Sequence, residues 1–465
     1  MIEQTNNTPR KKTAVLFSVQ THGVSKEENH SSLLELRRLV KTMGLDVVAM
    51  LTQRRSKPEA GTLLGAGKLK ELAGYTGGTG IVEGFSRKSE DETWDDKDED
   101  YPVGSLHSSV DESSVDDPMA QNSVQADVVI YDGEISTKQL INLEKATGVE
   151  VLDRTGVILE IFNRHAKSRE AIIQVEIAKL SYSAPRLRAS QIRGDRQGGG
   201  IGSKGIGETS HELNKRHIRD RISELKSRLE GIRYEQNRRR SRRKENFQVS
   251  LVGYTNAGKS SLMRKLTGSD VLVEDKLFAT LDTRVKSLYP EAFPPVLVSD
   301  TVGFIKKLPH DLVASFQSTL DEALAASLLL FTVDASDPAF RSQLAVTQSV
   351  LGEIGGEKIP NRLILNKIDK LTTGELEELH CEFPDGIFIS AHNPENVATL
   401  RKKILQFFES NMIETTMVIP YGKGHLLGQL KNKASMINES YDETGTEVTF
   451  KTFPETLTWL QKEMD

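Results

Sequence analysis

The sequence predicts a multidomain α/β protein in four parts, on three observations. Apolar β-type runs alternate with amphipathic helical stretches near the start, as in a parallel sheet crossed by helices. The middle of the chain switches to a helical apolar spacing, and further on glycine-rich turns stand directly at the ends of apolar strands. These observations give an N-terminal α/β domain at 1–155, a helical hairpin at 156–245, a central domain of mostly parallel sheet with flanking helices at 246–411, and a small α+β C-terminal domain at 412–465. With 465 residues, each part has enough chain to bury a core of its own.

In the N-terminal part, residues 13–19 and 45–51 read as strands, with an amphipathic helix over 32–43 between them. A strand at 126–131, a helix at 136–146 and a short strand at 150–152 continue the alternation. Residues 87–125 carry three basic and twelve acidic side chains, many serines and few large apolar groups. Such a stretch cannot bury enough surface to order itself, and a disordered insertion is expected, either a solvated loop or an acidic partner-binding segment. Gly65-Ala66-Gly67-Lys68 faintly resembles a phosphate loop but lacks the second half of any nucleotide motif, so a simple glycine turn is the plainer reading.

From about Gly156 the pattern is helical. Ile172, Val175, Lys179 and Tyr182 are placed on one face of a first helix. Ile218, Ile222, Leu225, Leu229 and Ile232 follow at steps of 4, 3, 4 and 3, the seam spacing of a coiled coil, and the two helices are expected to pair as an antiparallel hairpin. Between them, residues 185–207 form a Gly/Arg-rich loop that sets Arg186, Arg188, Arg193, Arg196 and Lys204 on a backbone able to approach a partner closely. Phosphate-rich RNA is a natural target, because cationic side chains displace its counterions; a flexible linker fits the same composition. Residues 214–244 hold thirteen basic against four acidic side chains, and the run 238–244 suits a solvated helix end as well as RNA contact.

These acidic and basic segments cancel, so the net charge of −5 describes neither. The longest apolar run, 323–333, is too short to span a bilayer, and residues 1–12 are polar with mixed charge, unlike a signal peptide. One cysteine, Cys381, cannot form an internal disulfide, and the ten histidines show no zinc-ligand spacing. A cytoplasmic, monomeric protein with no membrane span and no structural metal site is expected.

The chemistry concentrates after residue 246. An apolar strand at 247–252 runs straight into Gly253-Tyr254-Thr255-Asn256-Ala257-Gly258-Lys259-Ser260, the pattern G-x-x-x-x-G-K-[ST] in its required context. The glycines let backbone N–H groups curl around α- and β-phosphates, Lys259 reaches the β- and γ-phosphates, and Ser260 offers its hydroxyl to Mg2+. A strand at 295–299 leads into Asp300-Thr301-Val302-Gly303, where Asp300 can hold magnesium, directly or through water, and the Gly303 amide can sense the γ-phosphate. A strand at 363–365 ends in Asn366-Lys367-Ile368-Asp369. Asp369 can accept from guanine N1 and N2 while Asn366 and Lys367 hold the loop and the base. Adenine lacks those donors and would leave a partly buried carboxylate unpaired. Residues 387–389 lead to Ser390-Ala391-His392, suited to a backbone contact with guanine O6.

Four motifs in order, each at a strand's carboxyl end, imply a P-loop GTPase domain binding GTP and GDP, with ATP the weak alternative. A switch threonine that closes on Mg2+ must lie between residues 260 and 300. Phe278-Ala279-Thr280-Leu281-Asp282-Thr283 offers Thr280, the preferred candidate, and Thr283. Lys259, Thr280 and Gly303 are therefore expected to act in catalysis. Many GTPases place a glutamine directly after the D-x-x-G glycine to orient the attacking water. Phe304 stands there and cannot hydrogen-bond to water, so slow intrinsic hydrolysis completed by a partner is expected. In several GTPases of this broad class an asparagine at the position of Asn256 helps bind K+, and potassium activation is expected on that ground.

With these residues in hand, the chain resembles the HflX family of ribosome-associated GTPases over nearly its whole length, excepting the acidic insertion and the extreme N-terminus. The likeness rests on Leu64-Gly-Ala-Gly-Lys-Leu69, Asn142-Leu-Glu-Lys145, Val151-Leu-Asp-Arg-Thr155, Ile158-Leu-Glu-Ile-Phe162, Gln174-Val-Glu-Ile-Ala178 and Ser183-Ala-Pro-Arg-Leu187. Its most specific segment is Gly199-Gly-Ile-Gly-Ser-Lys-Gly-Ile-Gly-Glu-Thr209, and Leu277-Phe-Ala-Thr-Leu-Asp282 and Asp300-Thr-Val-Gly-Phe-Ile305 match beside the phosphate loop. Asn214 and Lys215 depart from the family pattern, and the segment after Asp282 is shorter than usual. The resemblance implies binding to the large ribosomal subunit and its rRNA, with Arg193, Arg196 and Lys204 touching RNA near the peptidyl-transferase region. It also implies dissociation or rescue of stalled ribosomes under stress; a nucleotide-gated, RNA-binding assembly factor without splitting activity is the alternative. Family members are further linked to ATP hydrolysis by the N-terminal domain, though no complete second nucleotide motif is visible. In the C-terminal part, 417–420 and 446–450 alternate like strands and 424–440 reads as a helix, a structural or ribosome-contacting module.

Overall fold

The computed structural model describes residues 11–82, 125–191, 210–243, 247–268, 277–278, 284–291, 294–307, 317–410 and 412–464. Its contacts divide the chain into two compact units: Met1–Arg164 with Ile172–Ser227, and His165–Ala171 with Arg228–Asp465. The acidic insertion, apart from Gln125, lies outside the described residues.

The first unit holds a four-stranded, wholly parallel sheet of β1 (Thr13–Gln20), β2 (Asp46–Arg54), β3 (Val128–Tyr131) and β4 (Glu150–Asp153), in the order β2-β1-β3-β4. Ala14, Val15, Leu16 and Phe17 of β1 are all fully buried, the continuous apolar run of a strand covered on both faces. Helix α1 spans Lys26–Thr42, six residues earlier than the apolar spacing alone suggested. Ser25 caps it by accepting from the Glu28 amide at 3.0 Å, and Glu27 and Glu28 complement the helix dipole in its first turn. Gly65 is not an isolated turn but the N-cap of α2 (Ala66–Gly74), its amide donating to Gln53 Oε1 at 2.9 Å. Helix α3 (Thr137–Thr147) opens on a Ser136/Gln139 capping box. Helix α4 (Arg154–His165) begins directly at the end of β4. Its first residue, Arg154, is 2% exposed and pairs with Glu35 and with Asp132 Oδ1 at 2.7 Å, while Asp132 Oδ2 accepts from the Ser32 hydroxyl at 2.5 Å.

Two long helices follow, α5 (Arg169–Gln191) and α6 (Ser210–Arg243). The loop expected from residue 185 starts later, because α5 continues through Pro185 to Gln191. A proline there removes one helical hydrogen bond, but the same turn is anchored on Asp153. Tyr182 donates its hydroxyl to Asp153 Oδ1 at 2.5 Å, and Arg186 pairs with Asp153 Oδ2 at 2.6 Å. The buried stripe of α5 is Ala171, Gln174, Val175 and Ala178, and Ile172 is 48% exposed rather than facing inward. The apolar count missed this because small residues and a glutamine make the stripe. In α6 the expected seam holds: Leu225 and Leu229 are buried and Ile218, Ile222 and Ile232 half-buried. Arg221 ties the helices together, donating through Nε and Nη2 to Glu176 Oε1 at 2.9 and 2.8 Å.

The second unit contains a six-stranded sheet of β5 (Phe247–Gly253), β6 (Arg284–Ser287), β7 (Val296–Asp300), β8 (Leu328–Asp334), β9 (Asn361–Asn366) and β10 (Ile387–Phe388). The order is β10-β9-β8-β5-β7-β6, with only the edge strand β6 antiparallel. Helices α7 (Lys259–Thr267), α8 (Gln317–Leu324), α9 (Phe340–Glu353), α10 (Thr373–Glu382) and α11 (Pro394–Glu409) flank it. Leu262 and Met263 of α7 and Leu400, Ile404 and Phe408 of α11 bury against Val249, Leu251, Val298 and Ile364. Phe340 and Leu379 cluster with Val333 and Leu365 in a second core.

The chain ends in an antiparallel sheet of β11 (Ile413–Pro420), β12 (Ser435–Tyr441) and β13 (Gly445–Thr452), ordered β11-β13-β12, with α12 (Gly424–Lys433) and α13 (Pro454–Met464). The helix expected over 424–440 therefore stops at Lys433, and its second half is a strand paired with β13. The turn explains the change: Asp442 Oδ1 accepts from the Thr444 and Gly445 amides at 2.6 and 2.8 Å, folding β12 back onto β13.

Candidate nucleotide-binding site

The motif loops all emerge at the carboxyl ends of neighbouring parallel strands, where open α/β sheets form their ligand crevices. Gly253 closes β5 with φ +152°, and a Cβ there would lie 2.1 Å from Thr332 O on β8. Gly258 has φ +95°, and a Cβ would meet Asn366 Nδ2 at 2.2 Å. Both glycines are thus required by close approach, not by flexibility alone. Lys259, first in α7, is buried and curls back over the loop, its Nζ donating to Gly253 O at 3.0 Å and Tyr254 O at 2.7 Å. Burial pushes this ammonium down to about 8, against the opposing pull of Asp300. Ser260 donates its hydroxyl to Asp300 Oδ2 at 2.7 Å, and Asp300 is wholly buried at the end of β7. A hydroxyl and a carboxyl group side by side, next to a lysine facing the phosphate loop, make a donor set that fits Mg2+, which takes few protein oxygens and completes its shell with phosphate and water.

The D-x-x-G segment is stitched to the phosphate loop. Thr255 N donates to Phe304 O at 2.9 Å and Phe304 N to Gly253 O at 3.1 Å, a parallel bridge between Tyr254 and Phe304. Tyr254 Oη accepts from the Lys306 amide at 2.5 Å. Phe304 is 3% exposed in this pairing, and Val302 is buried too. Thr301 uses its hydroxyl internally, donating to Leu251 O of β5 at 2.8 Å. Gly303 lies so close to the loop that a Cβ would sit 2.8 Å from Thr255 Cα and 3.0 Å from Lys259 Nζ.

On the base side, Asn366 joins three loops: Nδ2 donates to Ala257 O at 2.9 Å and Oδ1 accepts from the Ala391 amide at 3.2 Å. Lys367, at φ +65°, donates to Asn256 O at 2.8 Å and to Asp334 Oδ2 at 2.7 Å. Ile368 N reaches Ile389 O at 3.3 Å, and Ser390 Oγ accepts from the His392 amide at 3.2 Å. A hydrogen bond from Ser390 holds the Asp369 carboxyl below the usual carboxylate range, so it is ionised and can accept two donors from one ring edge. Asn256 is exposed, with φ +62°. Phe278 is buried, with φ +57°, whereas Ala279, Thr280, Leu281, Asp282 and Thr283 lie outside the described residues, as do Arg193, Arg196 and Lys204.

Sequence reasoning passed over Asp334, Ser336 and Asn396. Asn396 Oδ1 accepts from the Ser390 amide at 2.9 Å. Asp334 ends a strand beside β5 and β9, a position that could have flagged it. Among the described residues, no three His, Cys, Asp or Glu side chains gather as a metal site, and no helix is long and apolar enough to cross a membrane.

A doubly flanked sheet with a phosphate loop, a hydrogen-bonded Ser–Asp pair and a guanine-type N-K-x-D loop defines the class: this is a P-loop GTPase, an enzyme that binds and hydrolyses GTP. Known proteins resemble it along the chain. Residues 30–82 and 113–163 match the family described as GTP-binding GTPase N-terminal, 165–243 the GTP-binding GTPase middle region, and 248–367 the 50S ribosome-binding GTPase. The GTPase HflX of Gluconacetobacter diazotrophicus is 49% identical over 451 residues, covering 97% of each chain. That of Caldanaerobacter subterraneus is 36% identical over 448 residues (94% of this chain, 90% of the relative), and that of Escherichia coli K12 32% over 426 residues (91% and 89%). The chain belongs to the HflX family of GTPases.

Proposed function

We propose that this GTPase works in the cytoplasm on the large ribosomal subunit, dissociating or rescuing stalled ribosomes, and that the ribosome stimulates an intrinsically slow hydrolysis. The carrying observation is Phe304: buried and held by two backbone hydrogen bonds, its side chain has no polar atom with which to orient a water. A site so built needs its water positioned from outside. The match of residues 248–367 to a family described as a 50S ribosome-binding GTPase supports the ribosome as that outside partner.

In this reading Lys259 binds the β- and γ-phosphates, the Gly303 amide senses the γ-phosphate, and Thr280, or failing it Thr283, closes over the site. Ser260 and Asp300 would hold Mg2+, which when bound neutralises charge developing on the phosphates. Asp369 selects guanine, with Ser390 keeping its carboxylate ionised. Asn256, exposed at the rim of the loop, would hold a K+ ion, so turnover is expected to be faster in potassium than in sodium buffer; equal rates count against that assignment. Arg193, Arg196 and Lys204 would contact rRNA.

Sucrose-gradient sedimentation of purified ribosomes with a non-hydrolysable GTP analogue tests the partner. Co-migration with the large subunit, and loss of the intact-ribosome peak, are expected. Binding without loss of that peak would favour an assembly factor, and absence from the large-subunit fractions would remove the ribosome from the proposal.

A further inference from the structure

Asp334 closes β8 and belongs to none of the nucleotide motifs. Its carboxylate is divided between two neighbours. Oδ1 accepts from the amide and the hydroxyl of Ser336 at 3.1 and 2.6 Å, so the turn after the strand sets the carboxylate's rotation. Oδ2 accepts from Lys367 Nζ at 2.7 Å, and the same ammonium donates to Asn256 O at 2.8 Å. The Lys367 and Asp334 side chains are only 17% and 16% exposed, sheltered from much of the screening that weakens a surface ion pair.

Lys367 has φ +65°, a left-handed conformation that a long side chain adopts at a cost, whereas φ +62° at Asn256 is one that asparagine tolerates. One ammonium joins these two loops, one expected at the guanine base and one at the phosphates, and Asp334 pins that ammonium to a strand end. Without the carboxylate, Lys367 keeps a single neutral acceptor and a long flexible stem, and its ammonium is no longer fixed to the end of β8, although backbone pairing still holds the loop ends to that strand.

We infer that Asp334, oriented by Ser336, is a positioning residue that couples base recognition to phosphate binding by holding Lys367 across both loops. The inference rests on the reading of Asn366–Asp369 as the guanine loop. Its effect belongs to nucleotide retention, because the pair touches the loops that enclose the nucleotide and not the γ-phosphate end. It is also indifferent to the exocyclic amino group of guanine, which is Asp369's to read.

The test uses the full chain, fluorescent GDP and stopped-flow dissociation. Asp334→Asn keeps the shape and removes the charge. It is expected to release GDP roughly tenfold faster, to raise KM for GTP more than it lowers kcat, and to leave the ratio of GTP to ITP affinity unchanged. Ser336→Ala is expected to fall between it and the parent, and Asp334→Glu to restore part of the retention. Release within about twofold of the parent for Asp334→Asn overturns the inference. So does faster release accompanied by an equal fall in kcat and a lowered melting temperature of the nucleotide-free protein, which marks general loosening. Asp369→Asn separates the two levels: it is expected to move preference from GTP to XTP. If it does not, the guanine-loop reading fails and this inference with it; if it does while Asp334→Asn is silent, the inference alone fails.

Discussion

Lys259 shows what single residues contribute here. It is buried with its ammonium against two backbone carbonyls, and burial lowers its ionisation to about 8 from the ordinary lysine value of 10.5. Between those values the unfolded chain keeps a proton that the folded nucleotide-free protein gives up. Stability must therefore rise with pH across that window, by on the order of 3 kcal/mol if the whole shift acts. Urea unfolding at pH 8 and pH 10 checks this: the parent should gain on Lys259→Met by that order as pH rises, and a constant difference between them would contradict it. Binding of a nucleotide should flatten the dependence, since phosphate charge stabilises the ammonium. At this scale the sequence was most informative. Gly253 and Gly258 were singled out by their motif as letting backbone N–H groups curl around phosphates; the structure adds a different need for glycine there, since Cβ atoms would collide with Thr332 O and Asn366 Nδ2. Asp334 was not legible, because its role comes from a strand end meeting a loop 33 residues later, which no local pattern records.

Among the elements, those whose ends carry a chemical signal were read well and those defined by tertiary partners were not. Helix α3, read over 136–146, opens on the Ser136/Gln139 box and closes at Gly148, caps written in the chain itself; α11 carries equally plain caps in Asn393 and Pro394, which sequence reasoning passed over. Helix α5 was cut short because Pro185 normally ends a helix; what carries it on is Asp153, far away in sequence, receiving Tyr182 and Arg186. The strand β12 was read as helix for a similar reason: its partner β13 decides it. The joint between α1, β3 and α4 depends on the buried cluster of Arg154, Asp132 and Glu35. Asp132→Ala leaves a buried guanidinium with one carboxylate fewer and removes the carboxylate oxygen to which the Ser32 hydroxyl donates. A loss of about 3 kcal/mol in urea unfolding is expected.

Across the whole molecule, charge is laid out in blocks. Residues 87–125 carry a net −9 and residues 214–244 a net +9, within a total of −5. If the glycine-rich segment neutralises rRNA phosphates, replacing Arg193, Arg196 and Lys204 by alanine should weaken large-subunit binding. The slope of log affinity against log salt should become shallower by about 2 to 3. GTP hydrolysis without ribosomes should not change, because none of the three belongs to the nucleotide motifs. An unchanged salt slope in filter binding would remove these residues from the interface.

The bridge between Tyr254 and Phe304 has a consequence in time rather than in space. In the proposed reading, the loop that would grip the phosphates and the segment that would respond to their loss share one short ladder. Its two amide protons are shielded from solvent while the ladder is closed, and deuterium can replace them only during the intervals when it parts. The exchange of those two protons, followed with GTP and then with GDP in the site, is a stopwatch built into the backbone. It counts how often this enzyme opens the seam through which a spent nucleotide makes itself known.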